Sequence, residues 1–141
     1  MPSMTRRTAL AAFAACAFAT AVAFPAGAQP KAGEPLKIGF VYVSPIGDAG
    51  WTFQHDTGRK EMEKALGARV TSKYIESVPE GADAERVIRE LAQSGHQLIF
   101  TTSFGYMNPT IKVAGTFPKT HFEHATGYKS AANVGIYNAR F

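Results

Sequence analysis

The sequence predicts an α/β fold in which helices flank a parallel β-sheet on both faces. Apolar, strand-like runs alternate with amphipathic, helix-like segments through most of residues 36–141. Successive units are about 30 residues long, the size of a β-α-β step. The first run, residues 36–43, is almost continuously apolar, as expected of a strand buried on both faces. Together these observations indicate a layered domain built around one parallel sheet.

The first 28 residues do not belong to this domain. Arg6 and Arg7 precede an uncharged, alanine-rich stretch over residues 8–24, and Ala28 ends a small-residue cleavage pattern. This order is typical of a secretory signal peptide. The apolar stretch is also shorter than the ~20 residues that a membrane-spanning helix needs. We expect cleavage near Ala28 and a tether over residues 29–35, with the choice between the general secretory and twin-arginine routes left open.

Cysteine content and charge exclude several classes of function. The single cysteine, Cys16, lies in the predicted signal, so the mature chain has no disulfide or thiolate chemistry. A lipid anchor on Cys16 is not expected, because cleavage there would leave an apolar run at the new N-terminus. Without Arg6 and Arg7, 13 basic residues face 11 acidic ones. They are interspersed and form no basic stripe, which argues against a nucleic-acid partner.

The remaining elements follow the first strand in a regular order. A loop over residues 44–50 leads into a helix over residues 51–66, which Gly67 ends. A second strand and a turn at residues 78–81 precede a helix that we expect Asp83 to cap, and Gly95 ends that helix. The predicted later elements are strands at residues 70–75, 98–102, 121–126 and 133–137, and a third helix at residues 107–117.

Ligands of such sheets bind in the crevice beyond the carboxyl ends of the strands. That rule selects three segments of this chain, residues 44–51, 101–107 and 126–129. The first segment contains the only tryptophan, Trp51, in a loop rich in glycine and polar residues.

These segments carry a resemblance to a known family. The stretches that carry it are KIGFVYVSPIGDAGWTFQHDTGRKEMEKALG, ELAQSGHQLIFTTSFGYMNPTIKVAGTFPKTHFEHATGYK and NVGIYNARF. In this order, after an export signal, they resemble the basic membrane protein (BMP) family of ABC transporter substrate-binding proteins, which is similar to the purine nucleoside receptors. The Gly-Asp-x-Gly-Trp loop and the Thr-Thr-Ser-Phe-Gly-Tyr segment are the most specific parts of the match.

The resemblance implies a type I periplasmic-binding-protein fold, in which two α/β lobes close on a ligand. Two lobes of about 100–200 residues each need more chain than 141 residues. We therefore expect residues 36–141 to be a truncated N-terminal lobe, with the second lobe largely absent. The implied protein is a periplasmic monomer that delivers a purine base or nucleoside to an ABC permease in the inner membrane, with no cofactor and no metal.

Trp51 and Asp48 are the first candidate ligand residues. A purine is flat and polarizable, and an indole offers it a large stacking face. The alternative is that Trp51 packs its helix onto the sheet. Asp48 could accept a hydrogen bond from a purine N–H or a ribose hydroxyl, or it could cap the helix. Many relatives carry Ser-Phe where this chain has Gly50-Trp51, and the larger ring favours a free base such as adenine over a nucleoside.

Further candidates flank these two loops. Gln54 and His55 occupy the first turns of the helix, where a surface histidine is as readily solvated. Phe104 or Tyr106 could form a second aromatic wall, or both could pack beneath the loop. The complete set of candidate ligand residues is Asp48, Gly50, Trp51, Gln54, His55, Ser103, Phe104, Gly105 and Tyr106.

Other residues are weaker candidates or point away from the site. Tyr128 and Lys129 follow the fourth predicted strand. Tyr42 lies on the first strand and is predicted to pack in the core. His121 and His124 do not suggest a metal site, because three residues along a strand place side chains on opposite faces.

Three classes of function can be compared for an exported α/β domain. A solute receptor for an ABC importer fits best, and an exported ligand sensor of the same fold is the alternative. A secreted α/β enzyme is less well supported, because the chain has no G-x-S-x-G elbow, and no Rossmann glycine motif follows the first strand. We therefore predict a binding protein without catalytic residues.

Overall fold

A computed structural model describes residues 33–139. The predicted signal peptide and most of the predicted tether lie outside the described residues. The strands are β1 (Leu36–Val41), β2 (Val70–Ile75), β3 (Leu98–Thr101), β4 (His121–Ala125) and β5 (Val134–Tyr137). The helices are α1 (Trp51–Leu66), α2 (Ala82–Gln93) and α3 (Met107–Ala114), with short 3₁₀ turns at Gly67–Arg69 and Phe104–Tyr106.

The five strands form one parallel sheet in the order β2-β1-β3-β4-β5. The chain passes from β1 through α1 to β2 at one edge, and then crosses back through α2 to β3 on the other side of β1. The direction of winding therefore reverses between β1 and β3. Such a reversal leaves a crevice at the carboxyl ends of the two strands, where ligands of doubly wound sheets bind.

Helices cover the two faces of the sheet unequally. On one face, α2 and α3 pack against β1, β3, β4 and β5 through a continuous core that includes Val41, Ile88, Ile99, Val113 and Phe122. On the other face, α1 packs against β1 and β2 through a smaller cluster, which includes Ile38, Phe40 and Met62. Apolar residues of β1 contribute to the clusters on both faces of the sheet, which explains its almost continuously apolar sequence.

The side of α1 that faces the sheet carries a buried ionic network. Arg59 Nε donates to Asp56 Oδ1 at 2.8 Å, and the Arg59 guanidinium also reaches Glu63 and Ser72 at 3.1 Å. Lys60 approaches the second oxygen of Asp56 at 2.8 Å. Burial raises the pKa of Asp56, but the hydrogen bonds from Lys60 and Arg59 outweigh it, so the net shift is downward. This network anchors α1 to β2 by charge-assisted bonds.

Several element boundaries differ from the sequence-based expectations. Helix α3 ends at Ala114 instead of residue 117, and β5 begins at Val134 instead of residue 133. Both changes involve Asn133, whose amide nitrogen donates to the carbonyls of Ala114, Phe117 and Thr120. That side chain satisfies carbonyls at the end of α3, which explains the early end of the helix.

Strands β1, β3 and β4 also end one or two residues earlier than predicted. The expected cap of α2 was wrong, because Gly81 is its N-cap and Asp83 makes no capping hydrogen bond. None of the helices within residues 33–139 combines the length and apolarity needed to cross a membrane.

Replacing Asp56 with alanine should destabilise the domain by about 3 kcal/mol, because Arg59 would stay buried without its main partner. Asp56 is only 1% exposed. Urea denaturation followed by circular dichroism measures the loss. The matched control is Asp83→Ala, since Asp83 pairs with Arg86 at the surface and should cost about 0.5 kcal/mol or less. Equal costs for the two variants would contradict the anchoring role.

Candidate functional site

Four loops meet at the carboxyl edge of the sheet. They follow β1 (residues 42–50), β2 (residues 76–81), β3 (residues 102–106) and β4 (residues 126–133). Because β1 and β3 are neighbours, the first and third of these loops face each other across the switch point. The sequence-predicted site segments are thus adjacent in space.

Trp51 joins the loop after β1 to the end of β3. Its indole N–H donates to the carbonyl oxygen of Thr102, which lies directly beyond β3. The indole also packs on the ring of His55, with ring centroids 4.6 Å apart at 53°. Trp51 is partly buried. Trp51 therefore has a structural role whether or not it also meets a ligand.

The loop that precedes Trp51 is closed by local bonds. Gly50 is the N-cap of α1 with φ 91°, a conformation that favours glycine, and its carbonyl accepts from the N–H of Gln54 at 3.0 Å. The hydroxyls of Ser44 and Thr52 lie 2.7 Å apart. Asp48 is exposed and does not cap the helix, so its carboxylate stands at the surface of this edge.

The loop after β2 is held against the loop after β1 by two hydrogen bonds. Glu76 accepts from the backbone N–H of Ile46 at 2.9 Å. The N–H of Val78 donates to the carbonyl of Tyr42 at 3.0 Å. The loops after β1 and β2 therefore form one connected surface.

The same loop is held against the segment after β3 by two further bonds. Ser103 Oγ donates to the carboxylate of Glu80 at 2.5 Å, and the hydroxyl of Tyr106 donates to the carbonyl of Val78 at 2.6 Å. Tyr106 is fully buried. Burial raises the pKa of Tyr106, and the nearby Glu80 carboxylate raises it further. Tyr106 thus supports the loop from below, and we leave it out of the ligand surface.

An exposed aromatic pair stands at the same edge. The ring of Phe104 is 55% exposed and that of Tyr128 is 72% exposed. Their centroids are 6.3 Å apart at an angle of 44°. Lys129 donates to Asn108 at 2.8 Å, which ties the loop after β4 to α3. Extended exposed apolar patches often mark interaction or ligand-binding sites.

Gln54 and His55 line a groove and do not face the loops at the carboxyl edge. They line a groove of about 390 Å³ between α1 and the end of β5, whose walls are mainly apolar. His55 Nδ1 lies 2.8 Å from the carbonyl oxygen of Trp51, and its ring is 6.0 Å from that of Tyr137. Burial lowers the pKa of His55. The other lining residues include Phe40, Arg59, Met62 and Phe100.

The groove lies on the face of the sheet that α1 covers only over β1 and β2. Parallel sheets normally bury both faces. Phe100 and Tyr137 are therefore core-type side chains that no element within residues 33–139 covers completely. We take the loops at the carboxyl edge, and not this groove, as the candidate ligand site.

The two remaining histidine candidates are separated as expected. His121 is exposed, whereas His124 is 1% exposed and its Nδ1 lies 3.0 Å from the hydroxyl of Thr101. Among the described residues there is no group of three or more His, Cys, Asp or Glu side chains that could hold a metal ion.

Sequence reasoning missed Glu76 and Glu80. The sequence predicts only a turn at residues 78–81, yet the carboxylate of Glu80 in this turn and that of Glu76 just before it each bond to a neighbouring loop. The only signal was the density of acidic residues in a loop that follows a strand, and that signal does not name the partners.

The family comparison matches most of the chain. The sequence profile of the Bmp family, described as "ABC transporter substrate-binding protein PnrA-like", matches residues 36–141.

Individual relatives agree with that match. A protein of Brucella abortus named as a purine-binding protein is 58% identical over 123 residues, which is 87% of this chain and 35% of that protein. A protein of Haloferax volcanii, whose name assigns it glucose binding in an ABC transporter, is 41% identical over 114 residues, which is 81% of this chain and 29% of that protein. This chain thus spans about a third of the length of these relatives.

A solved structure supports the fold. A solute-binding protein of an ABC transporter system from Aeropyrum pernix superposes with a TM-score of 0.64 at 23% identity. The superposition covers 74% of this chain and 28% of that one. At this level of identity the likeness concerns the fold alone.

Trp51→Phe should lower stability by about 1 kcal/mol, because it removes one hydrogen bond while keeping an aromatic ring. Thr102 would lose the indole donor to its carbonyl. Thermal and urea unfolding measure the change. Phe104→Leu is the control, since that ring is exposed and should cost less than about 0.5 kcal/mol. A neutral Trp51→Phe would show that the indole bond contributes nothing to the loop.

Stability should fall as the pH drops from 7 towards 5, partly because of His124. Burial lowers the pKa of His124, so the folded state resists a proton that the unfolded state accepts below about pH 6.5. The stabilisation is complete above that pH and is lost as the pH falls towards the folded-state pKa. His124→Gln should flatten this dependence by up to about 1.4 kcal/mol per pH unit, the effect of one proton. An equal slope in wild type and in His124→Gln would contradict this assignment.

Proposed function

This chain belongs to the Bmp family of ABC transporter substrate-binding proteins, and we propose that it binds a purine at the carboxyl edge of its sheet. The observation that carries the proposal is the aromatic surface at that edge. Trp51 is fixed there by its bond to Thr102, and Phe104 and Tyr128 are exposed nearby. The Brucella abortus relative is named for purine binding, and it shares 58% of the aligned residues.

The chemistry of this edge suits a flat, uncharged heterocycle. An aromatic side chain stacked on a base contributes about 1–3 kcal/mol. The ring nitrogens and substituents of a purine need hydrogen-bonding groups around that stack. Asp48 and Ser103 supply an exposed carboxylate and a hydroxyl within the same loops.

We propose a free base, adenine-like, as the preferred ligand. The bulky indole of Trp51 would fill space beside the ligand that a ribose needs. Its pinned N–H keeps the ring from swinging away to make that space.

In this proposal residues 36–141 are the first of two lobes, and the ligand is enclosed when the second lobe closes over the edge. Such closure is the hinge motion of periplasmic binding proteins. The signal peptide would be removed near Ala28, without a lipid anchor, and the monomeric receptor would deliver its ligand to an importer permease of the inner membrane. Its role would be binding without catalysis.

A sugar is the second candidate ligand. The Haloferax volcanii relative is named for glucose binding, and sugars also stack on aromatic faces and bond to carboxylates. A sensor of the same fold for another small molecule would use the same edge, so ligand tests do not depend on the downstream partner.

Isothermal titration calorimetry with the protein expressed from its complete gene tests the ligand class. We expect adenine to bind and glucose not to bind. Trp51→Ala should weaken adenine binding at least tenfold, because the stacking face is lost, whereas Trp51→Phe should stay within about fivefold of wild type.

Gln54→Ala is the matched control, because Gln54 is an exposed neighbour on α1 that lines the groove and not the edge. It should leave adenine affinity unchanged. Binding of glucose but of no purine would move the assignment to sugars. Loss of adenine binding in Gln54→Ala but not in Trp51→Ala would move the site to the groove.

A further inference from the structure

The carboxylate of Glu80 stands at the edge of the proposed site. It lies in the loop after β2, yet it reaches the segment after β3, where Ser103 Oγ donates to Glu80 Oε1 at 2.5 Å. The side chain is exposed. It therefore lies in the switch-point crevice, beside the backbone that carries the exposed ring of Phe104.

Gly105 provides the space that this carboxylate occupies. A methyl group on Gly105 would overlap the carboxyl carbon and both oxygens of Glu80. Gly105 is not among the glycines with positive φ, so its backbone conformation is open to other residues. A side chain at position 105 would therefore displace the Glu80 carboxylate, although the local backbone conformation would accept one.

Much of the acceptor capacity of Glu80 is unused. Its only hydrogen bond within residues 33–139 is the one from Ser103, and no lysine or arginine in that range forms an ion pair with it. A carboxylate offers about four lone-pair sites on its two oxygens. Glu80 is an exposed residue, and its Oε2 atom has acceptor capacity left for a ligand.

We propose that Glu80 is a specificity-determining residue that selects purines with an amino group at position 6 over purines with a carbonyl there. The inference rests on the proposed function. A carboxylate placed opposite position 6 accepts from the amino N–H of adenine, whereas it faces an acceptor in the carbonyl oxygen of hypoxanthine and cannot donate to it. Sites built on a fixed polar partner discriminate strongly, because the wrong ligand leaves a polar group unpaired.

The test measures the affinities of adenine and hypoxanthine by calorimetry, using the protein expressed from its complete gene. Wild type should prefer adenine at least tenfold. Glu80→Gln offers an amide N–H in place of one oxygen, so the preference should fall at least tenfold, through weaker adenine binding or stronger hypoxanthine binding. The matched control is Glu76→Gln, a carboxamide in the same loop that keeps an acceptor for the N–H of Ile46 and should leave the preference unchanged.

Gly105→Ala provides an independent variant. It keeps the charge of Glu80 but forces the carboxylate to move, so it should reduce the preference as Glu80→Gln does, with the fold checked by circular dichroism. An unchanged preference in both folded variants would overturn the assignment of Glu80 while the purine proposal stands. A wild type that binds neither base would overturn the proposed function, and this inference with it.

Discussion

The candidate site depends on the hydrogen bond from the Trp51 indole to the Thr102 carbonyl. It joins the start of α1 to the end of β3, the two segments on either side of the switch point. The sheet order makes this possible, because β1 and β3 are direct neighbours although α1, β2 and α2 separate them along the chain. Without that bond the first helical turn of α1 would lose its link to the strand across the crevice.

The other interactions keep this geometry fixed from below and from the side. The Asp56–Arg59 pair anchors α1 to the sheet, and it lies one and two turns beyond Trp51 on the same helix. Glu76 and Glu80 then connect the loop after β2 to the loops after β1 and β3, respectively. A surface of this kind is preorganised, so a ligand need not order the loops when it binds.

The sequence predicted all five strands and three helices, because apolar runs and helical spacing are local signals. It did not give the strand order or the partners of Trp51, since these depend on contacts between residues far apart in the chain. The contact of Glu80 with Ser103 could not be predicted for the same reason. The sequence places Gln54 and His55 on the first turns of α1 as candidate ligand residues, but in the structure both line the groove. Whether any of the candidate side chains contacts a ligand stays a prediction.

The most direct test of the central claim is a crystal structure of the protein expressed from its complete gene, grown with adenine. We expect the purine ring to lie beyond the carboxyl ends of β1 and β3, stacked on Trp51 or Phe104. A purine seated in the groove against Phe100 and Tyr137, with the loop edge empty, would contradict it.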